Sequence, residues 1–363
     1  MSPMLKSVAA KGVQGIYGKE DPTSVQPDDF FNNTAALRKE FGKLINASAN
    51  HCAIVPSVSY GMANVARNLK AGKGDNIVVA DEQFPSNIYA WMALREEKGV
   101  EIKFVAAPQL KEGRGKLWNE QILAAIDSNT KLVATGHVHW ADGTLFDLKA
   151  IRERTKAVGA LMVIDGTQSI GALPFDVQEL QPDALVAAGY KWMMGPYSIA
   201  MAYYGDYFAD GRPVENNWMN RLHSENFGNL VNYQEEYQPG MVRYEVGESA
   251  NFILTPMLTE AIRQVNLWGP SHIQEYTRTL TAPYLSALQE VGFWVEEEAF
   301  RAQHLLGLRL PEQMNLEKVK TKLQAERIFV SVRGTSIRVS PHLYNSSEDF
   351  EHLFKVLGVQ SAF

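Results

Sequence analysis

The stretch LMVIDGTQSIGALPFDVQELQPDALVAAGYKWMMGP, residues 161–196, decides the fold. It holds two short apolar runs, LMVI before Asp165 and the run inside DALVAAG (183–189), each closed by a glycine-containing turn. Continuous apolar runs of this length between turn residues read as strands buried on both faces of a parallel sheet. The pattern extends upstream through CAIV (52–55), NIVVA (76–80), EIKFVAA (101–107) and KLVATG (131–136). Helical stretches separate most of them. One repeats apolar residues at Met62, Val65, Ala66 and Leu69, and another stops at Lys98-Gly99, a basic last turn with a glycine cap. The alternation predicts an α/β protein whose mostly parallel sheet is flanked by helices. A helical run from Pro256 to about Val291 breaks the rhythm. FWVEE, LLGLRL, IFVSV, SIRVS and EDFEHLFKVLG then predict a smaller C-terminal α+β domain. Single cores stop growing near roughly 250–300 residues, and this chain has 363. The expected division is 1–270, with 1–30 an arm packed on the small domain, and 271–363.

Composition removes several classes of function. A net charge of −6 gives no basic footprint for nucleic acid. No apolar run approaches the roughly 20 residues that span a bilayer, and MSPMLKSVAAKG lacks a signal-peptide core. The one cysteine, Cys52, excludes an internal disulfide and fits a reducing compartment. A cytoplasmic protein with small-molecule substrates, and neither nucleic acid nor membrane as partner, is expected.

Parallel sheets bind ligands at the carboxyl ends of their strands. There stand Asp165, after LMVI, and Lys191, after the next strand. A lysine able to form a Schiff base, and a carboxylate able to keep a pyridine nitrogen protonated, are the two groups that pyridoxal 5′-phosphate chemistry requires. Taken singly, an N-capping aspartate and a solvated lysine are the plainer readings. PSVSYGMANVARNL (56–69) offers strand, Ser57-Val58-Ser59 turn and amphipathic helix, a form that suits a phosphate and equally an ordinary capped helix.

VIDGTQSIGALPFDVQELQPDALVAAGYKWMMGP resembles the core of the class V aminotransferases, fold-type-I pyridoxal-phosphate enzymes that include cysteine desulfurases and kynureninases. The shared pattern is D-x-x-Q, then G-[HY]-K before a glycine-proline turn, and the resemblance runs from about residue 30 to 357. It implies a Schiff base on Lys191, catalysis by that lysine, Asp165 at the pyridine nitrogen, Gln168 at the phenolic oxygen, and Tyr190 beside the lysine at the cofactor. Ser59 stands where the family's phosphate loop has threonine. HVHWADGT (137–144) matches the segment whose histidine stacks on the ring, which selects His137. His139 or Trp140 is the fallback, and both are candidates for shaping the substrate pocket. A buried histidine bonded to backbone is the competing reading of His137.

SVRGTSIRVSPHLYN resembles the closing R-x-S-x-x-x-Y-N motif and implies that Arg338 clamps the substrate carboxylate, with Arg333 the second candidate. RYEVGESANF (243–252) sits where a threonine reaches the phosphate across a homodimer interface, so Ser249 is the candidate there. Asn87 and Tyr89, in DEQFPSNIYAW, are expected at the substrate entrance. The chain opens at SPMLKSVAAKG without the family's leading extended segment, so a more open pocket or a late start is expected. A desulfurase needs a mobile thiolate, and Cys52 begins a strand. The expected reaction is therefore transamination between a small amino acid and a 2-oxo acid, with a kynureninase-like or other lyase the alternative and a non-catalytic cofactor-binding homologue the third.

Overall fold

The computed structural model describes residues 1–359. Its main sheet contains β1 (Cys52–Val55), β2 (Asn76–Ala80), β3 (Glu101–Val105), β4 (Thr130–Gly136), β5 (Leu161–Asp165), β6 (Ala184–Ala188) and β7 (Ala200–Tyr204). The strand order is β1-β7-β6-β5-β4-β2-β3. Only β7 runs against its neighbours, antiparallel to both β1 and β6. The apolar runs alternate between two cores, as period-two geometry requires. Met162, Ile164, Leu185 and Ala187 face one, while Val163, Ala184 and Val186 face the other.

Helices α1 (Lys6–Gly18) and α2 (Asp29–Leu44) precede β1. The connections carry α3 (Val58–Asn68), α4 (Tyr89–Lys98), α5 (Arg114–Ala125), α6 (Leu148–Val158) and the short α7 (Val177–Leu180). Helix α4 ends as expected, with Gly99 left-handed at φ 71°. The long helical run is two helices, α8 (Leu254–Trp268) and α9 (Pro270–Glu290). Gly269, at φ 76°, and Pro270 break it, since glycine accepts that backbone and proline suits a new first turn.

The C-terminal part adds β8 (Leu306–Arg309), α10 (Leu316–Ala325), β9 (Ser331–Arg333), β10 (Ser336–Val339) and α11 (Ser347–Val356). Its antiparallel sheet has the order β8-β10-β9 and its own apolar cluster from Leu280 to Val359. Two expectations are corrected here. FWVEE is no strand, since only Trp294 bridges, to Arg309. The helical part of residues 1–30 is not an arm on the C-terminal part: α1 packs along α8, with Val8 in the main core, while Met1 and Ser2 share a cavity lining with Val330, Ser331 and Arg338. The approach is close enough that a Cβ on Gly15 would stand 2.3 Å from the Phe252 carbonyl oxygen.

One buried ion cluster ties the HVHWADGT loop to the segment before β8. Arg114, 1 % exposed, reaches Asp142 at 2.8 Å, Glu296 at 3.2 Å and the Thr144 hydroxyl at 2.7 Å. Burial pushes Asp142 upward, but His139 and Arg114 outweigh it and hold the carboxyl below the usual range. Removing one partner of such a cluster strands the others uncompensated. Arg114→Ala is therefore expected to destabilise the fold by about 3–5 kcal/mol, read as a shift of the urea midpoint. Unchanged unfolding would contradict this reading of the cluster.

Candidate active site

The carboxyl ends of β5 and β6 open onto a cavity of about 330 Å³, lined by Ser57, Val58, Ser59, Trp140, Asp165, Gln168, Tyr190 and Lys191. Lys191 also lines an adjoining cavity of similar size with Gln168, Arg338 and His342. Asp165 is the last residue of β5, lies opposite Val186 of β6 and is 9 % exposed. Its Oδ1 accepts the Thr167 N–H at 3.0 Å. Burial pushes its carboxyl up, against the Thr167 hydrogen bonds and the Lys191 charge. A buried carboxylate in this state gains from an added cation or N–H donor. Burial also pushes Lys191 down to about 8. Asp165 opposes that shift, while Arg338 and Arg333 add to it. Such an amine is available as a nucleophile near neutral pH.

Gln168 is held half-satisfied. Its side-chain oxygen accepts the Trp192 indole N–H at 3.1 Å, and its own amide nitrogen is buried without a partner. Its carbonyl accepts the His304 Nε2–H at 2.6 Å, and His304 Nδ1 lies 2.8 Å from Gln274 Nε2. Thr167 and His304 were not singled out from the sequence, and Trp192 was noted there only as an aromatic beside Lys191. Thr167 adjoins Gln168, which was the available signal. His304 stands 136 residues from its partner and offered none.

At the other end of the first cavity, the Ser57 hydroxyl caps α3 by accepting the Tyr60 N–H at 3.2 Å, and it lies 2.9 Å from the Ser59 hydroxyl. The Val58 and Ser59 N–H groups belong to the first turn, which lacks intrahelical acceptors. Tyr190 lies against Tyr197, with ring centroids 4.6 Å apart, and its carbonyl accepts the Ser2 N–H at 3.3 Å.

The ring-facing residue is a correction. His137 is outside the Lys191 cavities and packs edge-on to Phe175 at 5.8 Å, with a buried, unpartnered Nδ1. His139 is 1 % exposed and engages Asp142 at 2.8 Å and the Glu82 carbonyl at 3.1 Å, so it shapes no substrate pocket. The chain bends at His137 and turns at Trp140, so strand alternation does not carry on past Gly136. Trp140, in that turn, lines the cavity. Its indole N–H donates to the Glu82 carbonyl at 2.7 Å, and the Phe84 ring meets it edge-on at 5.4 Å.

Arg338, on β10, donates to the Trp140 carbonyl. Arg333, on β9, lays its guanidinium over the Trp140 ring at 5.3 Å. Asn87 is fully buried with both amide atoms unpartnered, and Ser86 faces the cavity in its place. Tyr89 is exposed and lines neither cavity. Ser249 does not present itself to a partner subunit. It is 2 % exposed and donates to Glu245 at 3.0 Å, and Glu245 also binds Arg38.

A family model described as aminotransferase class-V matches residues 26–353. The chain belongs to the class V aminotransferase family. An uncharacterized aminotransferase of Bacillus subtilis (strain 168), YcbU, is 30% identical over 349 residues, covering 96% of this chain and 89% of YcbU. A probable cysteine desulfurase of Pyrococcus abyssi (strain GE5 / Orsay) is 31% identical over 346 residues, covering 88% and 81%. Among solved structures, the cystine C-S lyase C-DES, in complex with its product cysteine persulfide, superposes with TM-score 0.86 at 20% identity over 98% of this chain and 95% of that one. At that identity the likeness shows the fold alone. A C-DES mutant carries glycine covalently linked to its PLP cofactor.

Class V membership implies pyridoxal phosphate, and the residues present fit it. Lys191 would hold the aldehyde carbon, Asp165 the ring nitrogen, the orphaned Gln168 amide the phenolic oxygen, and the α3 turn the phosphate. The neutral fraction of Lys191 grows about tenfold per pH unit below its pKa. Uptake of pyridoxal phosphate should accelerate from pH 6 to about 8 and level off above. In Asp165→Asn, which removes the charge that raises the lysine, the midpoint should fall. Stopped-flow absorbance checks both, and a rate flat across that range would contradict the assignment.

Proposed function

We propose that this chain is an aminotransferase that moves the amino group of a small amino acid to a 2-oxo acid, with pyridoxal phosphate held by Lys191. One observation carries the choice within the family: the amine, carboxylate, amide and guanidinium around Lys191 are in place, and no thiol is. Cys52, the one cysteine, is fully buried in β1. Burial, with Glu245 adding and Arg38 opposing, pushes its thiol up to about 12. A thiol in that state is a poor nucleophile, which speaks against desulfurase chemistry by the usual route.

Bound pyridoxal phosphate supplies an aldehyde carbon and a ring that accepts electrons. The chain's own groups do the rest. Arg338 receives the substrate carboxylate and so orients Cα toward Lys191. Lys191 Nζ, neutral near pH 8, takes the proton from Cα and delivers it again. Asp165 keeps a proton on the ring nitrogen, and Gln168 donates to the phenolic oxygen. Trp140 and Phe84 cover the cavity and limit water. A homodimer and a cytosolic location belong to the same reading.

The test is a half-reaction: holoprotein mixed with single amino acids should exchange its two cofactor absorption bands, and a 2-oxo acid should reverse the change. Lys191→Ala should slow this by about 10³-fold. Cys52→Ala should keep wild-type turnover. Release of ammonia and a keto acid without an acceptor would point to a lyase instead. Loss of turnover in folded Cys52→Ala would restore a thiol-dependent reaction.

A further inference from the structure

More positive charge stands beside the Lys191 site than a single substrate carboxylate needs: Arg338 lines its second cavity, and Arg333, behind Trp140, is close enough for its charge to act on Lys191. Antiparallel pairing of β9 and β10 sets Arg338 opposite Ser331 and Arg333 opposite Ser336. Residues paired or diagonal across such a ladder share one face, so Arg333 and Arg338 project from the same side of the hairpin. Both converge on Trp140, one at its carbonyl and one over its ring. A guanidinium has five N–H donors, and each of these two makes one hydrogen bond, Arg338 to Trp140 and Arg333 to the Val332 carbonyl at 2.8 Å. Both Nε atoms are buried and unpartnered. Both are half-buried, and neither forms an ion pair with a carboxylate among the described residues; of the two fully buried arginines, Arg114 has two such pairs and Arg301 has none. The one acid acting on Lys191 is Asp165, which the ring nitrogen would claim. His342, in the adjoining cavity, also leaves both ring nitrogens buried and unpartnered.

We infer that the substrate is a dicarboxylic amino acid, with Arg338 holding its α-carboxylate and Arg333 its side-chain carboxylate. A guanidinium held over an indole face uses none of its N–H donors in that contact, so Trp140 positions Arg333 and leaves those donors available. Two cations sharing one face repel, and a dianion between them relieves the repulsion of both.

The inference rests on the Lys191 site being the substrate site and is tested without turnover. Protein loaded with pyridoxal phosphate is titrated with succinate and glutarate, and separately with propionate and butyrate, by calorimetry and by the shift of the cofactor band. The wild type should bind the better dicarboxylate about 30-fold tighter than its monocarboxylate counterpart, the scale of one charged hydrogen-bonded contact. Arg333→Met, which keeps an aliphatic cover on Trp140, should reduce that ratio by about 10-fold or more. Equal wild-type affinities would overturn the inference even if Arg333→Met failed to fold, and so would a variant that weakens both classes by one factor. Should no amino acid exchange the absorption bands while the dicarboxylate preference persists, the aminotransferase reading falls and this one stands. Should monocarboxylic donors react as efficiently as dicarboxylic ones, the reverse holds.

Discussion

A carboxylate kept dry at the end of a strand is the constraint on which the remainder depends. Asp165 closes β5 in the middle of a seven-stranded sheet, with apolar cores on both faces, and its own chain gives it little more than Thr167. Burying that charge is costly unless a partner arrives. The neighbouring strand β6 leads to the amine of Lys191, which the same dryness drives toward neutrality. The two groups suit a ligand that brings a ring N–H to one and a carbonyl carbon to the other. The half-satisfied Gln168 amide repeats the pattern: a donor fixed in place by Trp192 with nothing in the protein to receive it. Buried carboxylate, neutral amine and fixed amide donor together match a ring nitrogen, an aldehyde carbon and a phenolic oxygen.

The parts legible in the sequence were those set by burial on both sides. Strands buried that way must be apolar throughout, so CAIV, NIVVA and LMVID stood out, and the residues closing them, Asp165 and the Ser57–Ser59 turn, followed directly. Lys191 was legible because a glycine turn and a second such strand precede it. Strand β7, AMAYY, is as apolar as the others, and its reversed direction lies in pairing partners that local composition does not encode. The edge strand β3 shows its position instead by the exposure of Phe104.

Illegible parts turn on long-range contacts or on a one-residue phase. His137 and Trp140 are three apart, and only the path of the backbone beyond β4 decides which meets the cavity. Ser86 rather than Asn87 faces it for a similar reason. Ser249 was placed at an interface by its neighbours in the chain, but Glu245, itself tied to Arg38, draws it inward. The Arg114 cluster gathers residues 28 and 182 positions away, and the seating of α1 on α8 joins the two ends of the large sheet's chain. Local patterns carry no record of such pairings.

The most direct measurement is to incubate the protein with pyridoxal phosphate, reduce with borohydride, and map the modified peptide by mass spectrometry. The account predicts a single pyridoxyl group on Lys191, absent from Lys191→Ala. Label on another lysine with residue 191 unmodified, or no label after saturation with the cofactor, would contradict it.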